Sequence, residues 1–178
     1  MRRSDLVPDC RSCAALCCVA TAFDASEDFA LDKPAGVGCP HLMRDCRCAI
    51  HDELAVRGFP GCAQYDCYGA GQRTTRAFAG VRDAELQRNA AFLVLRVVHE
   101  LLWLMTEAAR FCPATHQELA ARLAREIEAL DAITHGPTQA LFDLDLRPHQ
   151  MVVRSLLAAI GDALGGRRAK TRALVVVG

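Results

Sequence analysis

The sequence predicts a mainly α-helical protein with a small, irregular, cysteine-rich part on its N-terminal side. Nine of the ten cysteines fall between Cys10 and Cys67, and the turn formers Gly and Pro are concentrated in the same half. From Asp83 onward, apolar residues recur at helical intervals. The 178 residues are 52 % hydrophobic and 24 % charged, which is typical of a folded globular chain. We therefore predict about three helices in the C-terminal half.

The N-terminal part, residues 1–80, contains the turn-rich stretches "LDKPAGVGCP", "RGFPGC" and "YGAGQ". Such stretches favour loops and short elements rather than long helices. A segment of this size and composition buries too little apolar surface to be held by a core alone. We therefore predict a separate cysteine-rich domain over residues 1–80 that depends on a further source of stability.

The first predicted helix begins near Asp83 and ends before Pro113. It carries one apolar face at i, i+3, i+4 spacing and a second apolar face beside it. A helix that is apolar on two sides lies at the centre of a fold or at an interface, so residues 85–111 are a candidate surface for a homo-oligomer or a protein partner. Charged residues such as Arg96 and Glu107 interrupt the run, which therefore falls short of the roughly 20 apolar residues that span a membrane.

The second predicted helix begins at a T-x-x-E capping box formed by Thr115 and Glu118, and it extends to about Ala132. The stretch "LFDLDL" that follows alternates in polarity and predicts a short strand or an extended arm.

The third predicted helix begins at Pro148, since proline is favoured in the first helical turn, and it ends at the pair Gly165 and Gly166. Residues 81–166 are thus the predicted helical segment. Residues 167–178 are predicted to be a linker or tail.

The net charge and the N-terminal sequence each argue against one class of protein. The formal net charge is zero, which argues against nucleic-acid binding because such proteins present a basic surface. The N-terminus "MRRSDLVPDC" has no apolar core of a secretory signal, so we expect a cytoplasmic protein in a reducing environment.

The stretch "CRSCAALCC" contains four thiols: Cys10, Cys13, Cys17 and Cys18. Clustered cysteines form disulfides in an oxidising compartment, bind metal in the cytosol, or serve as small buried hydrophobic residues. If residues 10–18 form one helix, the four sulfur atoms lie on one side of it. Adjacent cysteines bridge each other only with strain. The spacing therefore favours metal binding over disulfides.

Further cysteines follow in small groups: Cys39, then Cys46 and Cys48, then Cys62 and Cys67. Most lie beside Gly or Pro, in turns whose backbone N–H groups can point at sulfur and stabilise thiolates. Four soft ligands suit tetrahedral zinc or a 4Fe–4S cluster equally well, and the number of candidates is enough for one site or two.

The order of these groups resembles the CxxCxxCC family of zinc- or iron-chelating proteins. The opening stretch is similar to the family's first motif with one extra residue before the cysteine pair, and "CPHL", "CAIH" and "RGFPGCAQY" are similar to its later elements. The resemblance covers residues 10–68. It is greatest to the form found at the N-terminus of some bacterial pentapeptide-repeat proteins, in which a segment similar to "VVHELLWLMTEAA" follows.

The resemblance implies that zinc or an iron–sulfur cluster is bound by eight cysteines: Cys10, Cys13, Cys17, Cys18, Cys39, Cys48, Cys62 and Cys67. It implies no reaction, and we identify no catalytic constellation. We therefore predict a metal-binding protein with a structural or interaction role. The alternative is a redox or methyl-transfer accessory enzyme, because the flagellin lysine methylases carry a similar motif with an iron–sulfur cluster.

Three further residues are predicted to have roles other than metal binding. Cys46 lies outside the family pattern and is predicted to be a spare thiol, whereas Cys112 is predicted to be a buried structural thiol. His51 follows Cys48 by three residues. A packed imidazole ring is favoured over a metal ligand at this position.

Overall fold

The structure is a computed structural model that describes the backbone of residues 3–175 and the side chains of residues 3–165. Its described residues form six α-helices and four short 3-10 helices, with no β-strand. The mainly α-helical fold is therefore confirmed. The α-helices are α1 (Leu16–Ala20), α2 (Pro60–Gln64), α3 (Ala70–Ala77), α4 (Glu85–Phe111), α5 (Gln117–His135) and α6 (Arg147–Val175). The 3-10 helices are Arg3–Leu6, Cys10–Ser12, His51–Glu53 and Thr138–Leu141.

Helix α4 is the central element, and α1, α3, α5 and α6 all pack against it. One of its two predicted apolar faces is completely buried, at Phe92, Leu95, Val98 and Leu102. The other face is buried only toward the C-terminal end of the helix. Near the N-terminal end, Leu86 is 80 % exposed. The two apolar faces thus place α4 inside the fold, and the first turns of the helix remain exposed to solvent.

Two hydrophobic clusters share α4. The first joins α4 to α5 and α6 through residues such as Leu102, Leu123 and Leu156, each of which is fully buried. The second joins α4 to α1 and α3, with Leu16 and Phe92 as its large members. Full burial of one such side chain contributes about 1.5–3 kcal/mol. Because the second cluster draws on both halves of the sequence, the cysteine-rich half packs directly on the helical half.

The second predicted helix forms as α5, but the predicted capping box does not. Residue His116 occupies the N-cap position and no side chain accepts a hydrogen bond from the first turn. The Thr115 hydroxyl instead hydrogen-bonds the neighbouring His116 ring, at 3.1 Å between Oγ1 and Nδ1. The helix begins one residue later than a cap at Thr115 requires, so the T-x-x-E pattern is out of register.

The predicted end of the third helix is wrong, because α6 continues through Gly165 and Gly166 to Val175. A glycine inside a helix costs about 1 kcal/mol relative to alanine, and the good helix formers that follow offset this cost. Residues 167–175 of the predicted tail are therefore helical, and residues 176–178 lie outside the described residues. The stretch "LFDLDL" does not form a strand; it leaves a 3-10 turn as an irregular arm.

Helix α4 is also the one helix in the described part of the chain that is long and apolar enough to cross a membrane. Half of its most apolar stretch is buried inside the protein. The core helix of a soluble protein has the same length and composition, so this is weak evidence for a membrane span.

Candidate metal centre

The first cysteine group does not lie on one helix, so the prediction that residues 10–18 form a single helical face is wrong. The segment is divided into the 3-10 helix Cys10–Ser12 and α1, and Ala15 between them adopts a left-handed conformation with φ 55°. The backbone N–H of Ala14 donates to the Thr75 hydroxyl of α3 at 2.9 Å instead of continuing a helix. This break turns the first two cysteines toward α3 and leaves Cys17 and Cys18 on α1.

All ten cysteines have free thiols in the structure, so the disulfide interpretation receives no support. Cys46 and Cys112, the two cysteines outside the motif, also have surroundings different from those of the other eight. Cys46 is exposed in a tight turn that Met43 N–H closes by donating to Arg47 O at 2.8 Å. Cys112 directly follows α4 and is half-buried there. The other eight lie around α1, α2, the N-terminus of α3 and the loop between α1 and α2.

The N-terminus of α3 holds two sulfur atoms close together. The backbone N–H groups of Gly69 and Gly71 both donate to the Cys67 sulfur. A Cβ atom on Gly71 would stand 2.7 Å from the Cys13 sulfur and 3.8 Å from the Cys67 sulfur. Glycine at position 71 therefore leaves the space that these two sulfurs occupy. Helix N-termini and N–H donors favour thiolates, which are the form that binds metal.

Burial governs the protonation of this group. It raises the pKa of the Cys10, Cys13 and Cys67 thiols, and the nearby charge of Cys17 raises the pKa of all three further. At Cys13 the N–H of Leu16 acts in the opposite direction. Without a cation nearby, these thiols retain their protons. A bound metal ion supplies the charge that lets such thiols ionise.

Cys17 and Cys18 are consecutive on α1, and their sulfur atoms are 3.9 Å apart. A hydrogen bond from the Cys18 thiol lowers the pKa of Cys17 to about 7, and the same bond raises the pKa of Cys18. The backbone N–H of Cys18 also donates to the Cys17 sulfur. Cys17 is therefore the thiol of this pair that ionises first, and its charge acts on Cys13 and Cys67 as well as on Cys62.

The remaining cysteines approach Cys18 from the loop between α1 and α2. The N–H of Cys39 donates to the Cys18 carbonyl at 3.0 Å, and the thiols of Cys39 and Cys48 are near enough to raise the pKa of Cys18. Cys48 is fixed by an isolated antiparallel bridge to Leu42. Burial raises the pKa of Cys62, on α2, to about 11, and Cys39, Cys17 and Cys48 add to this effect.

Lys33 lies beside this second set and was missed by sequence reasoning. It is only 3 % exposed, and its ammonium donates to three carbonyl oxygens, those of Val19 at 3.3 Å, Pro34 at 3.1 Å and Val37 at 3.0 Å. The charges of Cys39 and Cys18 favour its protonated form, while burial lowers its pKa. The sequence feature that could have identified it is the rarity of lysine, because Lys33 is one of two lysines in a chain with nineteen arginines.

Aromatic rings cover the loop that carries Lys33. Phe23 stacks on Phe29 with ring centres 4.3 Å apart and meets Phe59 edge-on at 6.5 Å. Phe59 in turn contacts the ring of His41 at 5.2 Å. The Lys33 ammonium lies 5.5 Å from the centre of the Phe23 ring, which is within the range of a cation–π contact.

His51 does not pack as predicted. Its side chain is 67 % exposed, and its Nδ1 atom lies 3.3 Å from a carboxylate oxygen of Asp52. It is near enough to Cys17 to contribute to that residue's low pKa. The prediction of a packed ring is therefore wrong, because the 3-10 helix His51–Glu53 places the ring at the surface.

The eight sulfur atoms are neighbours rather than a ready coordination shell. As placed, no three His, Cys, Asp or Glu side chains among the described residues stand close enough to hold a metal ion. The donor set itself is chemically uniform: soft thiols with backbone N–H groups directed at several of them. That chemistry fits zinc or an iron–sulfur cluster and does not fit hard cations such as calcium.

Comparison with known proteins identifies a relative of undetermined role. The chain is 32 % identical over 159 residues to the uncharacterized protein YybG of Bacillus subtilis (strain 168). The match covers 86 % of this chain and 56 % of the relative, so the chain spans about half the length of the protein it matches. No protein-family model matches the sequence, and no solved structure matches it.

Proposed function

We propose that the protein binds zinc or an iron–sulfur cluster through the cysteines of residues 10–67, and that the bound metal has a structural or interaction role in the cytoplasm. The observation that supports this proposal is the convergence of separate sequence groups. Cysteines from residues 10–18, 39–48 and 62–67 lie around α1, all with free thiols. Thiols drawn from such distant positions have no common packing requirement, whereas a shared ligand explains their grouping.

The small core of the loop between α1 and α2 also supports metal binding. Between α1 and α2 the structure has only two isolated bridges and one 3-10 helix. The buried apolar residues of this stretch are Ile50 and Phe59. Such a loop buries too little apolar surface to be ordered by the hydrophobic effect alone. Metal ligation couples directly to folding and supplies the missing stability.

The raised pKa values of the thiols determine how metal binding would depend on pH. Burial and crowding raise the pKa of Cys10, Cys13, Cys62 and Cys67, so the free thiols bind protons tightly. A metal ion competes with those protons, and its binding releases them. We therefore expect metal affinity to fall steeply as the pH is lowered.

A partner surface is a subsidiary part of this proposal. Leu86 and Leu93 on the first turns of α4 are 80 % and 44 % exposed, and Leu86 lines a surface groove together with Phe142. We propose this end of α4 as the place where a second copy or another protein contacts the chain. Analytical ultracentrifugation of the wild type and of Leu86→Glu tests it, since a charge at this position would dissociate an apolar contact.

The experiment that tests the metal proposal is anaerobic purification of the full chain, followed by measurement of zinc, iron and labile sulfide. A colourless protein with zinc identifies a structural zinc protein. A brown protein with equal iron and sulfide identifies an iron–sulfur protein, and reversible bleaching by a reductant would then favour the redox accessory enzyme. A protein with neither metal contradicts the proposal. The Cys46→Ala variant is the matched control and should retain the metal content of the wild type.

A further inference from the structure

We propose that an apolar stripe on the first turns of α4 binds the same stripe of a second copy of the chain, in an antiparallel and two-fold symmetric pair. The stripe consists of Leu86, Ala90, Leu93 and Val97. This inference rests on the partner surface proposed above and names its occupant. It does not depend on metal binding.

The four residues of the stripe are four, three and four positions apart, so they lie on one side of α4. Leu86, Ala90 and Leu93 are exposed, and Val97 is half-buried. All four positions are uncharged. The centres of protein interfaces are depleted of charged side chains, so the stripe has the composition of a surface that becomes buried in a contact.

The spacing of the stripe is the same in both directions along the helix. If a two-fold axis passes between residues 91 and 92, Leu86 of one copy faces Val97 of the other. The same axis places Ala90 of one copy opposite Leu93 of the other. Each layer then joins a large side chain to a smaller one, as knobs and holes do in paired helices. Because one patch serves both copies, the contact closes as a dimer.

A groove beside Ala90 provides space for the opposing leucine. Its volume is about 420 Å³, and it is lined by Leu86, Gln87, Ala90, Gln139 and Phe142. In the symmetric pair, Leu93 of the second copy lies over Ala90 at the edge of this groove. Leu86 and Phe142 supply apolar walls, and the two glutamines carry no charge. Each copy therefore presents both the projecting side chain and the groove that receives it.

The charges beside the stripe favour a second copy over a highly charged partner. Glu85 and Arg96 are eleven positions apart, so they lie on the same side of α4 near opposite ends of the stripe. The two-fold axis places Glu85 of each copy within about 3 Å, along the helix axis, of Arg96 of the other. The Arg96 guanidinium is held over the Tyr65 ring and contacts Glu100 at 3.1 Å, and its other N–H groups include donors for a second carboxylate. The net charge of the chain is zero, so two copies approach without overall repulsion.

The test is the mass of the full chain by analytical ultracentrifugation at protein concentrations from about 1 to 100 μM. We expect the wild type to pass from 19.3 kDa to twice that mass as the concentration rises. Leu93→Glu should remain at the monomer mass, because it places an unpaired charge in the apolar contact. Met151→Glu is the matched control, since Met151 is 72 % exposed on α6 and its substitution should leave the dimer intact.

A pair of substitutions distinguishes the symmetric pairing from other contacts. Leu93→Ala removes the large side chain from two layers of the dimer and should raise its dissociation constant about tenfold or more. Adding Ala90→Leu to this variant again places a leucine opposite an alanine in both layers, so the double variant should regain most of the lost affinity. Far-UV circular dichroism and metal content, measured on the same samples, report whether each variant retains the fold.

A wild type that stays at the monomer mass at the highest concentration would overturn the proposal, and so would a dimer that Leu93→Glu leaves intact. A double variant that regains no affinity would refute the antiparallel register. A monomer that loses a different protein partner on Leu86→Glu would refute the second copy and leave the partner surface standing. Because metal is measured on the same samples, failure of the dimer is distinguished from failure of metal binding.

Discussion

The sulfur atom of Cys13 lies 2.7 Å from the position that a Cβ atom would take on Gly71. Real Cβ atoms do not approach sulfur so closely, so residue 71 and the Cys13 thiol compete for the same space. The thiol can leave that space by rotation about its χ1 angle. An unliganded thiol can rotate, whereas a thiol bound to a metal cannot. A substitution at Gly71 therefore reveals whether Cys13 binds a metal.

The first prediction is that Gly71→Ala releases metal from the centre that contains Cys13 and Cys67. The added methyl group displaces the Cys13 sulfur from the other ligands, and the measured metal content should fall. Helix propensity alone would make this substitution stabilising by about 0.5–1 kcal/mol, because residue 71 lies in α3.

Gly161→Ala is the matched control. Gly161 lies within α6, and a Cβ atom there meets nothing within 4 Å. It should raise the free energy of unfolding by up to about 1 kcal/mol and leave the metal content unchanged. A Gly71→Ala protein that behaves like this control would show that Cys13 is not a ligand.

The second prediction concerns Lys33. In Lys33→Met three carbonyl oxygens lose the ammonium donor and the neighbouring thiolates lose a buried cation. The carbonyls of Val19 and Pro34 keep backbone donors, so the loss is that of hydrogen bonds to a charged group, which contribute about 1.5–3 kcal/mol, and denaturant unfolding should show a loss of about 2 kcal/mol. Arg57→Met removes a half-exposed charge from the same part of the chain and should change stability by less than about 0.5 kcal/mol. Equal effects of the two substitutions would refute the role assigned to the ammonium.

The third prediction is a pH dependence from His99. Its Nδ1–H donates to the Tyr68 carbonyl at 2.7 Å, while its Nε2 atom is buried without a hydrogen-bond partner in the described part of the chain. Burial lowers the pKa of His99 to about 4, and the nearby Arg73 contributes to the same shift. The unfolded chain therefore binds a proton at a higher pH than the folded chain does.

It follows that the contribution of His99 to stability is complete above pH 6.5 and is lost as the pH falls from 6.5 to about 4. The loss is on the order of 3 kcal/mol over that interval. His99→Asn preserves a donor toward Tyr68 and does not titrate, so its unfolding free energy should vary less with pH. Parallel pH profiles for the two proteins would contradict the prediction; the acid lability of the metal centre is common to both and cancels.

The fourth prediction tests the central position of α4. Leu102 is fully buried and Leu86 is 80 % exposed on the same helix. Leu102→Ala leaves a cavity in the core and should cost about 2–5 kcal/mol by denaturant unfolding. Leu86→Ala should change stability by about 0.5 kcal/mol or less. A comparable loss from both substitutions would place α4 differently in the fold.

The helical half could be predicted from its sequence because its periodicity is regular. The two apolar faces of α4 predicted a central helix, and α4 is buried along one whole face. The end of α6 was predicted wrongly because a glycine pair disfavours a helix by only a small free energy, which neighbouring residues can overcome. Short-range signals such as T-x-x-E failed for a similar reason, since a shift of one residue removes the hydrogen bond.

The cysteine-rich half was harder to predict because its geometry depends on distant residues. The break at Ala15 exists because Ala14 is hydrogen-bonded to Thr75, about sixty positions away in the chain. The space beside Gly71 and the burial of Lys33 depend on the same tertiary packing. Residue types identified the candidate thiols, but which of them lie near one another depends on the fold.

Metal binding is tested most directly by native mass spectrometry of the anaerobically purified chain, compared with the mass of the same sample after acid denaturation. We expect the native mass to exceed the denatured mass by bound zinc or by iron and sulfide, and we expect acid to remove the excess as the thiols regain their protons. Identical masses in the two states would show that the clustered cysteines hold no metal.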